Sequence, residues 1–262
     1  MEELKKYNIK YLSPSSISLF ISNPALYVLE KIFGYKFTAG AAAHRGRFIE
    51  QGVHLAIAQS FKPYYDAMQN DINKVAKLEL SNFIEYCKQV GIKKDEYEKE
   101  LDFIERAIKK LPSKLSKFGK IVSYQKEVGY NYNGVQIKGY TDFEFQNKDS
   151  LLFVDLKTTA RTIKITTAHK IQQYIYNKAT NVENKLLYIQ VLKTKEHIEE
   201  YSLTQEDQYN IPRIVNQAIS NIINLCKLAN SKDDFKRLVT PNPDDWKWSD
   251  DKVKARKEVW GY

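Results

Sequence analysis

Leu151-Leu152-Phe153-Val154-Asp155-Leu156-Lys157-Thr158-Thr159, preceded at a short distance by Gly139-Tyr140-Thr141-Asp142, is the stretch whose reading decides the fold. Leu151 to Val154 form an apolar run of strand length, which argues for a buried strand. Asp155 and Lys157 follow two positions apart, and on a strand that spacing puts both side chains on one face. Taking two charges out of water is costly unless they pair or coordinate something. A charged pair closing an apolar strand is therefore either a bare salt bridge or part of a site, and the tripeptide alone does not choose.

Working outward, Val122, Tyr124, Val128, Tyr130 and Tyr132 follow a strand-like alternation, Asn133-Gly134 is a hairpin turn, and Val135 and Ile137 begin a return strand through Phe145. A helix from about Thr167 to Ala179 comes after the Asp155 strand. Strands at Leu186 to Leu192 and Ile198 to Leu203 precede a helix from Gln205 to Leu228 capped by Thr204. Toward the N-terminus the pattern is helical. Ser13-Pro14 caps one helix, Asn23-Pro24 restarts another to Gly34, and Ala41 opens a third ending near Ser60. Two charged amphipathic helices then run from about Pro63 to Leu111, broken around Gly91. Antiparallel strands, a crossover helix and further strands make an α/β fold, a mixed β-sheet flanked by helices with a helical N-terminal region and insertion. No clear period is visible from Thr240 onward, which reads as irregular packing or an interaction arm.

With 262 residues the chain can bury a core without disulfide or structural metal. The expected organisation is one domain over 1–262, with a helical elaboration at about 61–118 and a C-terminal arm at about 240–262. Cys87 and Cys226 lie in helical patterns without Cys-x-x-Cys spacing and are expected as reduced core residues. Two cysteines also fall short of the roughly four that an iron–sulfur cluster needs, so no iron–sulfur cluster is expected. There is no apolar run of about 18 residues and no secretory core, so the expectation is a soluble, cytoplasmic protein of a bacterial or phage-infected cell, with no membrane partner. A net charge of +9 suggests an anionic partner, most simply nucleic acid.

Asp142 lies thirteen residues before Asp155, and the intervening turn lets the two strand ends meet. Two carboxylates and Lys157 then share one edge, the outline of a divalent-cation site able to hold a phosphate and activate water. Glu144 shares the strand face of Asp142, but the Gly-x-x-Asp pattern favours Asp142. In Arg45-Gly46-Arg47-Phe48-Ile49-Glu50, Gly46 and Glu50 stand one helical turn apart, and His54 lies a further turn along, as ligand, phosphate contact or structural residue. Gln172 and Tyr176 make an i, i+4 pair on the helix after the Asp155 strand. Arg45, Arg47, Arg161 and Lys164 flank these motifs as candidate phosphate clamps; Lys126 and Lys138 are weaker ones, and Glu127 is a candidate brace. Tyr140 and Phe48 could stack on unpaired bases.

The ordered set Gly46-Arg47-Phe48-Ile49-Glu50, Gly139-Tyr140-Thr141-Asp142, Asp155-Leu156-Lys157-Thr158 and Gln172-Gln173-Tyr174-Ile175-Tyr176 resembles the PD-(D/E)xK nucleases, in their RecB-like and phage lambda-exonuclease-like branch. The resemblance covers roughly residues 40 to 180. It implies a restriction-endonuclease-like core in which Glu50, Asp142, Asp155 and the backbone carbonyl of Leu156 bind Mg²⁺ or Mn²⁺. Lys157 would be the catalytic lysine, and Gln172 with Tyr176 would position the substrate strand. Glu50 departs from the His that many RecB-like members carry after this glycine, and is more similar to the lambda-exonuclease type. The expected activity is a metal-dependent DNA exonuclease of recombination, repair or phage DNA processing. Its partners would be single- or double-stranded DNA and either further copies of the chain or a recombination protein. A single-strand or flap endonuclease and a catalytically silent nucleic-acid-binding protein stand as alternatives.

Overall fold

Ser13 opens the N-terminal helical region with a reciprocal cap. Its hydroxyl accepts from Ser16 N–H at 3.1 Å while Ser16 Oγ accepts from Ser13 N–H at 2.8 Å. The structure, a computed structural model, describes residues 2–57, 71–147, 150–159, 164–181, 186–192, 196–201 and 203–262. Its first helices are α1 (Glu2–Lys5), α2 (Pro14–Ser22) and α3 (Pro24–Val28), the last running into a π-helical turn at Leu29–Phe33. Then come α4 (Ala41–Ile57), α5 (Ile72–Gln89) and α6 (Lys94–Leu115). The break falls at Gly91 as expected, but α6 continues past Leu111. Pro112 and Leu115 are buried there beside Leu111, so packing outweighs the missing N–H of the proline near the helix end.

Asn133 and Gly134 both adopt positive φ, 49° and 84°, the geometry whose twist matches a two-residue hairpin. They join β1 (Lys120–Tyr132) to β2 (Val135–Asn147), and β2 pairs antiparallel with β3 (Ser150–Thr159). The crossover helix α7 (Thr167–Thr180) carries the chain to β4 (Leu186–Leu192), parallel to β3, and β5 (Glu196–Tyr201) returns antiparallel. The strand order is β1-β2-β3-β4-β5. A threonine capping box at Thr204 starts α8 (Gln205–Leu228), followed by α9 (Phe235–Leu238) and α10 (Asp250–Trp260). The last helix corrects the expectation of an aperiodic tail. Its buried apolar residues are only Ala255 and Val259, too few to show a stripe in sequence, yet they pack on Leu26 and Leu29.

Side chains of β3 alternate between two coverings. Val154 and Leu156 join Phe143 and Phe145 in a core with Phe48, Val53, Phe83 and Ile108 of α4, α5 and α6, whereas Asp155 reaches Gln172 of α7. A second core gathers Ile17, Ile171, Ile175, Ile211 and Val215 on Val128, Val135 and Ile137. Cys87 and Cys226 are buried in these two cores. No described helix is long and apolar enough to cross a membrane.

The β2–β3 ladder stops at Phe143–Val154. Beyond it the free edge of β2 is taken by Leu12, whose N–H donates to Gln136 O at 3.0 Å and whose carbonyl accepts from Lys138 N–H at 2.9 Å. The two strands thus part immediately before Asp142 and Asp155.

Candidate active site

At this fork Asp142 substitutes for a strand partner: its Oδ2 accepts from Leu156 N–H at 2.9 Å. The N–H and C=O of a strand residue point to the same side of the ladder, so the Leu156 carbonyl faces the same gap. Asp155 is 1% exposed. Its Oδ1 accepts from Gln172 Nε2 at 3.0 Å, and its Oδ2 faces Lys157 Nζ at 2.5 Å in an ion pair rather than an aligned hydrogen bond. Gln172 also reaches Tyr176 Oη at 2.9 Å, and the Tyr176 hydroxyl donates to Tyr140 O at 2.6 Å. The relay from Asp155 through Gln172 and Tyr176 to Tyr140 straps β3, α7 and β2 together.

Two glycines allow the elements to close on this fork. A Cβ on Gly46 would sit 3.3 Å from Thr158 Oγ1, so the glycine lets α4 lie close against β3 and brings Glu50, one turn on, toward the site. A Cβ on Gly139 would sit 2.6 Å from the Tyr176 ring and 3.5 Å from Pro14, so β2 approaches α7 and α2 only because that position has no side chain.

Glu50 Oε2 accepts from Gln125 Nε2 at 3.1 Å. Burial, then the charge of Asp155, push the Glu50 carboxyl up to about 7, with Lys157 opposing. Burial followed by Asp155 and Glu50 pushes Asp142 well above the usual carboxylate range. Burial would lower the Lys157 pKa, but Asp155 and Asp142 outweigh it and raise it. The three carboxylates therefore feel one another's charge, with one ammonium among them. Among the described residues no three acidic, His or Cys side chains close into a metal cage; the acids rest instead on Gln125, the Leu156 N–H, Gln172 and Lys157. Their chemistry still fits a hard divalent cation, because carboxylate oxygens are the donors such ions take. The buried Asp155 Oδ2 is held by the Lys157 ammonium, so a cation taking that oxygen would share it with Lys157.

Several expected site residues lie elsewhere or are otherwise engaged. Arg45 corrects the reading as a phosphate clamp: it is 4% exposed, paired with Glu100, donates to Thr158 O at 3.1 Å and lies over the Phe103 ring. It ties α4 to α6 and β3. Arg47 is exposed, with its guanidinium 6.0 Å from the Phe48 ring centroid, and Phe48 itself is core rather than a stacking surface. His54 is partly buried and stacks on Tyr124 at 4.2 Å, and burial lowers its pKa. Arg161 lies outside the described residues, and Lys164 is exposed. Glu144 accepts from Ser123 at 2.7 Å and pairs with Lys126 at 3.0 Å, and Glu127 pairs with Lys138 at 2.7 Å.

Sequence reasoning missed Gln125 and His169. Gln125 has φ 49° within β1, between the pairs Tyr124–Phe143 and Lys126–Thr141 and hence across from Asp142. A left-handed non-glycine residue in a strand is strained, and no local spacing announces it. His169 caps α7 by accepting from Thr166 N–H at 3.2 Å and shares a groove with Lys157 and Gln172. Its i, i+3 spacing to Gln172 could have revealed it.

A family model described as "PD-(D/E)XK nuclease superfamily" matches residues 11–237. Among solved structures, one described as "Putative exonuclease" from Eubacterium rectale superposes with a TM-score of 0.56 at 14% identity, covering 95% of this chain and 90% of that one. Another, described as SSO0001, gives a TM-score of 0.37 at 14% identity over 84% of this chain and 82% of that one. No curated protein matches.

Proposed function

Because the chain belongs to the PD-(D/E)XK nuclease superfamily, we propose that it is a metal-dependent DNA exonuclease acting in DNA recombination, repair or phage DNA processing. The observation that carries the reading is the Asp155–Lys157 ion pair at the strand fork, within the electrostatic reach of both Asp142 and Glu50. The fold shared with a protein described as a "Putative exonuclease" supports the choice among nucleases.

Glu50, Asp142, Asp155 and the Leu156 carbonyl are the donors that would hold Mg²⁺ or Mn²⁺. Such an ion, once bound, supplies charge neutralisation at a phosphate and acidifies bound water. The ammonium of Lys157 orients the attacking water and offsets charge developing on the phosphate. Water adds to phosphorus as one P–O ester bond breaks, leaving a phosphate monoester and a free hydroxyl. Gln172 fixes the Asp155 carboxylate, and Tyr176 fixes β2 beside it, so both act by positioning.

A time course on end-labelled linear duplex, single-stranded and circular DNA, with Mg²⁺, Mn²⁺ or EDTA, tests this. Linear DNA should shorten from its ends only with metal, while circles persist. Cleaved circles would make the protein an endonuclease. Asp155→Asn and Lys157→Ala should each lower the rate by about 10²-fold or more with an unchanged circular-dichroism spectrum; full activity in either would overturn the site.

A further inference from the structure

We propose that the groove leading away from Lys157 binds an unpaired DNA strand, with the rings of Tyr140 and Tyr11 stacking on its bases. The inference rests on the nuclease reading for the identity of the strand, and on the groove for its form. This groove, of about 600 Å³, starts at Lys157, Gln172 and Tyr176 and reaches Tyr11 and the start of α2 at Ser13 and Ser15. Among the described residues its lining holds Lys138, Lys157 and His169, and the carboxylates bonded to that lining, Glu127 and Asp155, are each paired with one of those lysines. An anionic chain passing the fork thus meets hydroxyls and ammonium groups whose charge is shared with Glu127 and Asp155.

The aromatic residues decide which form of DNA fits. Tyr140 is 46% exposed and Tyr11 is 45% exposed, and both residues line the groove. Tyr140 is held at both ends: its hydroxyl donates to Glu127 Oε2 at 2.8 Å, and its carbonyl accepts from Tyr176. Glu127 is in turn held by Lys138 at 2.7 Å. A ring fixed in this way is a ready platform two residues from Asp142. Base faces are available to such a platform only where the strand is unpaired, since a duplex stacks its bases on one another. Ser18, with Ser13 and Ser15, adds small polar residues to the same wall.

The test is fluorescence anisotropy of a labelled single-stranded oligonucleotide and a blunt duplex, with wild-type protein in EDTA so that nothing is cleaved. Wild type should bind the single strand more tightly than the duplex. Tyr140→Ala and Tyr11→Ala should each weaken single-strand binding by about 5-fold or more, as expected for loss of one base stack, and leave duplex binding unchanged. Tyr140→Phe keeps the ring and should retain most of the affinity, whereas Trp246→Ala, outside the groove, should change nothing. Melting curves of each variant exclude unfolding as the cause. Equal affinity for the two DNAs, or wild-type single-strand binding by both alanine variants, would overturn the proposal. Tyrosine-dependent binding without any metal-dependent cleavage would sink the nuclease reading and leave the groove standing. Cleavage with tyrosine-independent binding would do the reverse.

Discussion

Glu79 of α5 is an acid that the folded protein resists ionising. It is 0% exposed; Oε1 accepts from Asn82 at 3.2 Å, and the buried Oε2 has no hydrogen-bond partner among the described residues. Burial pushes its pKa up to about 7, against the smaller opposing effects of Asn82 and Arg47. A raised acid pKa means that the folded state holds a proton which the unfolded chain, near 4.3, releases. Stability therefore falls as pH rises from about 4.5 to 7, by on the order of 2 kcal/mol. Glu79→Gln should reduce that slope in urea titrations across the same range, leaving the part that Glu50 and Asp142 contribute, and an unchanged slope would show that Glu79 does not titrate there. At this scale, legibility followed sequence distance. Asp155 with Lys157 and Gln172 with Tyr176 are two and four residues apart, so strand and helix geometry already encode their proximity. Arg45 lies fifty-five residues from Glu100, and nothing local distinguishes a buried arginine on an amphipathic helix from its exposed neighbour Arg47. Gln125 was hidden for a related reason, because its significance lies in a backbone angle and a glutamate brought from another element.

Gly139 shows what an element needs in order to pack. The 2.6 Å approach of a Cβ there to the Tyr176 ring leaves no room for a methyl, and overpacking of this kind costs about 1–3 kcal/mol. Gly139→Ala should lower the urea midpoint accordingly and, by displacing the Tyr176 relay from Asp155, lower DNA cleavage. Gly46→Ala, at 3.3 Å from a threonine hydroxyl, should be milder in both measurements, and the reverse order would contradict the packing account. The elements themselves were largely legible. The Asn133-Gly134 turn, the strand delivering Asp155 and the Thr204 cap appear where pattern and turn chemistry put them, because each carries a local signal. The helix α10 was not, since its burial depends on Leu26 and Leu29, far away in sequence.

Across the whole molecule, that last helix closes the chain onto its beginning. Trp260 donates to Val239 O at 2.9 Å, Asn23 reaches Asp245 at 3.1 Å, and Tyr35 donates to Glu258 at 2.7 Å. Removing residues 240–262 would uncover Leu26 and Leu29, each worth about 1.5–3 kcal/mol when buried. A protein of this size loses roughly 2–4 °C of Tm per kcal/mol. The truncated chain should therefore melt about 6 °C or more below the full one by circular dichroism; an equal Tm would mean that the tail is dispensable to the core. The mixed sheet was readable at this scale because strands and crossover helix alternate along the chain. The N-terminal contacts were not, for no local pattern says that Tyr7 will donate to Ala229 O at 2.6 Å or that Lys6 will reach the same carbonyl at 3.0 Å. Those two bonds bear on biosynthesis. During translation, at about 5–20 residues per second, residues 6 and 7 emerge about 10–45 s before their partner. Tyr11 and Ser13 flank Leu12, which bonds to β2, so that wall of the groove can form as soon as β2 has emerged, and the tie of residues 6 and 7 to Ala229 is a separate, later event.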